Sequence, residues 1–309
     1  MTVRYQDIAD RLKAFRLGSD LSAEEIAHRA GISRTALYRL EKGELVKIET
    51  LERIADLLEV SVTTLLGVGI EYIASPVSYF ERLRQIEAAA EHITALAGPI
   101  SFLLSSDTFE QTLDTTLRES VADDDANRPR ILEDIAKITA VLRERKQHYC
   151  QRQPSIVNLM SGLELARFVR DGMVGRFNLP EAVRAERREL ARREIEHFIR
   201  LIEAGDMGVQ IGVAPETLPH SGFQVFRQPD REILTTSPFR LGEHPNVQVG
   251  VAMITSAPEA LTLHKKVIVE LWRRALKGGD AARFLRNLLT SSDRPATHKT
   301  PTHPSLSVA

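Results

Sequence analysis

The stretch from Leu21 to Gly43, LSAEEIAHRAGISRTALYRLEKG, constrains this chain more than any other. Ser22 followed three residues later by Glu25 is the signature of a capping box, in which the serine hydroxyl accepts from the Glu25 N–H and the Glu25 carboxylate accepts from the Ser22 N–H. A helix is therefore predicted to start at Ala23. Ile26, Ala27 and Ala30 fall on one face at helical spacing, and Gly31 stands where a helix end needs a left-handed residue. Ser33 then caps a second short helix, with Ala36, Leu37 and Leu40 inward and Arg34, Thr35, Tyr38 and Arg39 outward. Such a pair suits a nucleic-acid groove. A recognition helix must enter the major groove, offer donors to base edges, and be braced by a preceding helix whose N-terminal N–H groups can meet a phosphate.

With these residues in place, the stretch resembles the Cro/C1-type (Xre-like) helix-turn-helix of phage repressors and many bacterial regulators, through L-S-x-x-E-I-A, A-G-I-S and the closing E-x-G at Glu41 to Gly43. The resemblance runs from about Ile8 to Leu66. Ile8, Leu12 and Phe15 read as a first helix, and IETLERIADLLEV and SVTTLL as the fourth and fifth, the last capped by Ser61. It implies that Ser33, Arg34, Thr35, Tyr38 and Arg39 face the major groove of double-stranded DNA, while Ser22, Lys42 and Lys47 hold phosphates. Two positions depart from the family. Ala23 replaces a frequent phosphate-contacting glutamine, and Val46-Lys47 replaces a frequent Pro-Ser.

Charge refines this expectation. The whole chain is near neutral, with 41 basic and 42 acidic residues, whereas counterion release favours basic DNA-binding surfaces. From Ser33 to Lys47, Arg34, Arg39, Lys42 and Lys47 outnumber Glu41 and Glu44, so the positive charge is local. Together with Ala23, this footprint predicts weak reading by one copy and reliance on a homodimer. At 309 residues the chain has room for a second domain. No run has the length of a transmembrane helix, MTVRYQDIAD lacks a signal-peptide core, and the lone Cys150 fits a reducing compartment. A cytoplasmic, nucleoid-associated protein with no membrane contact is expected.

Beyond the all-α five-helix domain (1–66) and a linker (67–76) marked by Gly67-Val68-Gly69, residues 77–289 read as an α+β sensor or dimerisation domain. Ile70 to Ala74 has strand character. Tyr79, Leu83, Ile86, Ala90, Ile93 and Ala97 follow a 4-3-4-3-4 spacing that predicts one helix over 77–97, as a core helix or, less simply, a dimer seam. Further helices are expected after Ser106 or Asp107, from Ile131 to Tyr149, within 155–177, and from Leu179 to Ala204. In the last of these, Arg184, Arg187, Arg188, Arg192 and Arg193 sit at ion-pair spacing from glutamates. The period then shortens: GVQIGVAP, FQVFRQ, REILTTSPF and VQVGVAMITSA predict a sheet of about four strands. A helix with Leu261, Ile268, Leu271, Trp272 and Ala275 on one side follows, then Ala281 to Leu289, and a tail (290–309) without apolar period that is expected to be disordered.

No catalytic set stands out, and the reading is a non-enzyme without cofactor or metal. There is no phosphate loop, C-x-x-C or G-x-S-x-G. His264-Lys265-Lys266 matches the H-x-K fragment of phospholipase D-like domains, but Leu271 stands where the acid belongs. His197, His220 and His244 lack fixed ligand spacing, and Cys150 beside Arg145, Lys146 and His148 reads as an inert thiol. The basic RERKQHY run is expected to favour its own helix end rather than DNA. The function expected is a sequence-specific regulator responding to a small-molecule effector or protein partner. The alternative is an antitoxin-like autoregulator, or a DNA-binding domain fused to an enzyme-like C-terminal domain.

Overall fold

The computed structural model describes residues 4–44, 47–96, 98–176, 178–215, 222–242 and 244–292. Five helices come first: α1 (Tyr5–Leu17), α2 (Ala23–Arg29), α3 (Arg34–Leu40), α4 (Ile48–Leu57) and α5 (Val62–Leu66). Local hydrogen bonds set their ends. Ser22 Oγ accepts from the Glu25 N–H at 3.2 Å and Glu25 Oε2 from the Ser22 N–H at 2.8 Å, while Ser33 and Ser61 cap α3 and α5. Gly31 takes the left-handed φ of 74° expected after α2. Leu12, Ile26, Ala27, Ala30, Leu37 and Ile54 meet in a buried cluster that fixes the helices against one another.

The rest of the described chain builds β1 (Ile70–Ile73), α6 (Pro76–Ala88), β2 (His92–Leu96), a 3₁₀ turn (Phe102–Leu104), α7 (Asp107–Glu119), α8 (Arg128–Arg152), β3 (Ser155–Ser161), α9 (Gly162–Asp171) and α10 (Glu181–Ala204). Then follow β4 (Val209–Ala214), β5 (Phe223–Arg227), β6 (Glu232–Thr236), β7 (Ala252–Thr255), α11 (Pro258–Arg274), β8 (Leu276–Lys277) and α12 (Gly278–Ser292). Among the described residues the strands form one eight-stranded sheet in the order β1-β7-β6-β5-β2-β3-β4-β8. β2, β3 and β4 are mutually parallel and the remaining pairs antiparallel. One face packs against α6, α8, α9, α10 and α12 through residues such as Ile93, Ile156, Met160 and Phe226. The other is covered by α11 over Leu96, Leu159, Phe223, Val225 and Leu234.

The four strand runs expected after Gly205 are present as β4 to β7, but the sheet is twice as wide. Residues 77–97 do not form one helix: α6 ends at Ala88, and Ile93 belongs to β2. The apolar spacing matched a helix because β2 lies in the middle of a sheet with helices packed on both faces, so Ile93 is buried in one core and Leu96 in the other. Ala97 lies outside the described residues. The short helix expected within 155–177 is α9, and SIVNLMS before it is β3, a short apolar run whose period cannot separate strand from helix. Arg188 and Arg193 pair locally with Glu181 and Glu189, but Arg187 reaches Glu119 on α7 at 2.7 Å and Arg192 donates to the Leu289 carbonyl. These two face neighbouring helices, where a nearer acceptor wins. The helical residues 290–292 extend α12 into the expected tail; 293–309 lie outside the described residues.

Candidate nucleic-acid interface

The helix-turn-helix presents its polar side to solvent because its apolar side is anchored. Leu37 is fully buried, while Ser22, Ser33, Arg34, Thr35, Tyr38, Arg39, Lys42 and Lys47 are all exposed. Ser22 and Ser33 sit at the starts of α2 and α3, Lys42 in the turn after α3, and Lys47 at the start of α4. Ser33→Ala should cost about 1 kcal/mol of stability through loss of the cap, read by denaturant unfolding; an unchanged midpoint would show that Ser33 does not brace α3.

The exposed side chains are ordered by contacts among themselves. Arg34 Nη2 donates to the Tyr38 hydroxyl at 3.2 Å, and its guanidinium lies 5.5 Å from the Tyr38 ring centre. The hydrogen bond with Tyr38 raises the Arg34 guanidinium above its usual range, so it is fully charged. Arg16 of α1, which the sequence did not single out, lies 5.7 Å from the centre of the same ring and pairs with Glu41. Glu41, the acid of the E-x-G motif, therefore ties the end of α3 to α1. No local signal pointed to Arg16, because its partner lies 25 residues away. Arg39 donates to Glu44 at 2.7 Å, and this hydrogen bond holds the Glu44 carboxyl below the ordinary carboxylate range. Arg39 is thus charged but engaged in an exposed, solvent-screened ion pair.

The domain is joined to the sheet by a buried charge cluster. Glu71 of β1 accepts from Arg11 of α1 at 2.6 Å and from Arg82 of α6 at 3.0 and 3.1 Å. Gln85 of α6 donates to the Asp10 carbonyl at 2.9 Å, and Arg231 donates to Asp7. Gly67 caps α5 with φ 70°, and a Cβ there would come within 2.3 Å of the Arg11 guanidinium. The glycine that marks the start of the linker is thus required by a turn and by close packing.

The other sequence candidates are engaged elsewhere. His264 Nδ1 bonds the Ala260 carbonyl within α11, and Lys265 pairs with Glu232. His197 Nε2 bonds the Leu104 carbonyl at 2.9 Å and His244 has partners of its own, while His220 lies outside the described residues. Arg145 of the RERKQHY run is buried, donating to Glu87 at 2.7 and 2.8 Å, and Lys146 donates to the Ser105 carbonyl. Cys150 is exposed. Among the described residues no His, Cys, Asp and Glu group could hold a metal ion, and no helix is long and apolar enough to cross a membrane.

Five helices with a capped, solvent-facing α3 braced by α2 define a helix-turn-helix DNA-binding module. A family model described as a helix-turn-helix domain matches residues 7–66, so this N-terminal domain is a helix-turn-helix of the Cro/C1 (Xre-like) type. No curated protein matches the chain. The chain is a DNA-binding regulator in the general sense that this domain gives.

Proposed function

We propose that the chain is a sequence-specific transcription regulator that acts as a homodimer on pseudo-palindromic double-stranded DNA and takes its signal through the α+β part. The observation that carries this reading is the α3 face, where Arg34, Thr35, Tyr38 and Arg39 are exposed to solvent over a fully buried Leu37. Arg34 offers a bidentate fork to guanine, Ser33, Thr35 and Tyr38 lie beside it, and Ser22, Lys42 and Lys47 fit the phosphates. In vitro selection of bound DNA should return two half-sites about one helical turn apart. A pool without an enriched motif would overturn specific reading.

Arg39 reaches DNA only when it leaves Glu44, which itself repels phosphate. Glu44→Gln should therefore tighten binding by up to about fivefold at low salt, with the gain fading as salt rises. Equal affinity of both proteins in a filter-binding titration would show that the pair does not face the duplex.

Homodimerisation is supported by the sheet edge. β1 is the outermost strand, with unpaired backbone groups on one side. Its Ile70 and Tyr72 are 39% and 55% exposed, beside Met253 at 39% and Val251 at 54%, in the part of this face that α11 does not cover. A twofold pairing of two such edges buries this patch and sets two reading heads on one assembly. Ile70→Lys with Tyr72→Glu should convert a sedimenting dimer to monomer; an unchanged sedimentation coefficient would place the dimer contact elsewhere.

A further inference from the structure

We propose that the cavity between α6 and the sheet is an effector site for a small primary amine with a compact apolar body. The inference rests on the regulator reading above and gives its signal a place and a chemistry. The cavity has a volume of about 120 Å³. Its apolar walls include Phe80 and Leu83 of α6, Ile93 and Ala95 of β2, and Phe102 and Phe239 from the flanking segments. A dry cavity of roughly 150 Å³ admits benzene, so this one suits a body of about six non-hydrogen atoms.

The register explains why space exists here. Thr235, Gln224, Ala95 and Asn158 are directly paired across β6, β5, β2 and β3, and alanine between the two amides leaves the floor open there. Thr235 is 1% exposed, and its hydroxyl lies near the Tyr79 phenol without a hydrogen bond of ordinary geometry. A buried hydroxyl left unpaired is unfavourable unless an occupant satisfies it.

The charges select the occupant. Arg145, the cation in the wall, is engaged: Nε and Nη2 donate to Glu87, and its guanidinium lies 5.8 Å and 5.6 Å from the Phe80 and Phe102 ring centres. Arg240, also in the wall, has a partner of its own. Glu164 of α9 also lines the cavity with its side chain 25% exposed, and Arg167, one turn on in the same helix, pairs with it only at 4.0 Å. Its carboxylate fills the space above Gly98, where a Cβ would stand 1.5 Å from Oε2. The cavity thus offers a weakly paired carboxylate with hydroxyl and amide groups, which a hydrogen-donating cation satisfies and an anion does not.

The same elements hold the DNA-binding domain. α6 lines the cavity with Tyr79, Phe80 and Leu83, and through Arg82 and Gln85 it grips β1 and α1. The hairpin between β5 and β6 donates from Gln228 to the Ile86 carbonyl and from Arg231 to Asp7. An occupant that binds one placement of α6 better than another therefore biases the reading head.

Calorimetric titration of the full chain without DNA, using benzylamine, benzyl alcohol and benzoate, tests the site. Benzylamine should bind at least about tenfold more tightly than benzoate, and Glu164→Gln should remove that preference while leaving benzyl alcohol unaffected. Ala95→Leu, which fills the floor, should abolish binding of all three. Absence of saturable benzylamine binding, equal binding of benzoate, or a preference that survives Glu164→Gln overturns the assignment. Benzylamine binding without any selected DNA motif would leave the site standing and remove the regulator reading; a selected motif without benzylamine binding would do the reverse.

Discussion

Glu71→Ala is expected to destabilise the protein by about 3–5 kcal/mol, because removing one partner of a buried ion pair leaves the remaining charge unpaired. Here two guanidinium groups, Arg11 and Arg82, 8% and 5% exposed, would lose their common carboxylate. Denaturant unfolding followed by circular dichroism reads the loss, and hydrogen exchange should show it first in α1 and α6, which the cluster joins. The control is Arg11→Met, Glu71→Leu and Arg82→Met together, which removes every charge and should recover most of the stability. A Glu71→Ala loss below about 1 kcal/mol would mean that water enters the cluster and the junction is held by its apolar contacts.

The same cluster gives the junction a pH dependence of definite sign. Burial raises the Glu71 carboxyl, but Arg82 and Arg11 outweigh it and hold it below its ordinary value of 4.5. A carboxyl lowered in the folded state contributes stability that is fully present above the ordinary carboxylate range and is lost as pH falls through the lowered value. The native protein should therefore lose stability in acid more steeply than the uncharged triple variant. Parallel stability curves below the carboxylate range would contradict this.

Arg34→Ala is expected to weaken binding to the selected operator by about 1 to 3 kcal/mol, or roughly 5- to 150-fold, and to relax preference at one base pair per half-site. The magnitude follows from its preparation. Tyr38, with Arg16 also beside its ring, holds the Arg34 guanidinium by a hydrogen bond on the exposed face of α3, so its freedom is already restricted before contact. Tyr38→Phe removes only the hydroxyl and should produce a smaller part of the same defect. If Arg34→Ala weakens all sequences equally and lowers the salt slope by about one, Arg34 holds a phosphate rather than a base.

Much of the reading head was legible from residues three or four apart. Ser22 with Glu25, Ser33 with Ala36, Ser61 with Thr64 and the left-handed Gly31 are local features, and each is present in the structure. Arg16 was not legible, because its partner Glu41 lies 25 residues away. The sheet was legible only where strands follow one another closely, as in the β5–β6 hairpin. β2 reads as helix by its apolar spacing and becomes a strand because β3 and β5, more than 50 residues further on, offer their backbones on both sides.

The amino-acid sequence by itself determined the helix-turn-helix and the exposed face of α3, since helix caps and turn residues act within one turn of chain. Only the tertiary structure decided that residues 70–73 close the sheet, that Glu71 gathers Arg11 and Arg82, and that Ala95 opens a cavity behind α6. Strand partners, buried ion pairs and cavities depend on which distant segments are brought together, and local propensity carries no record of that choice.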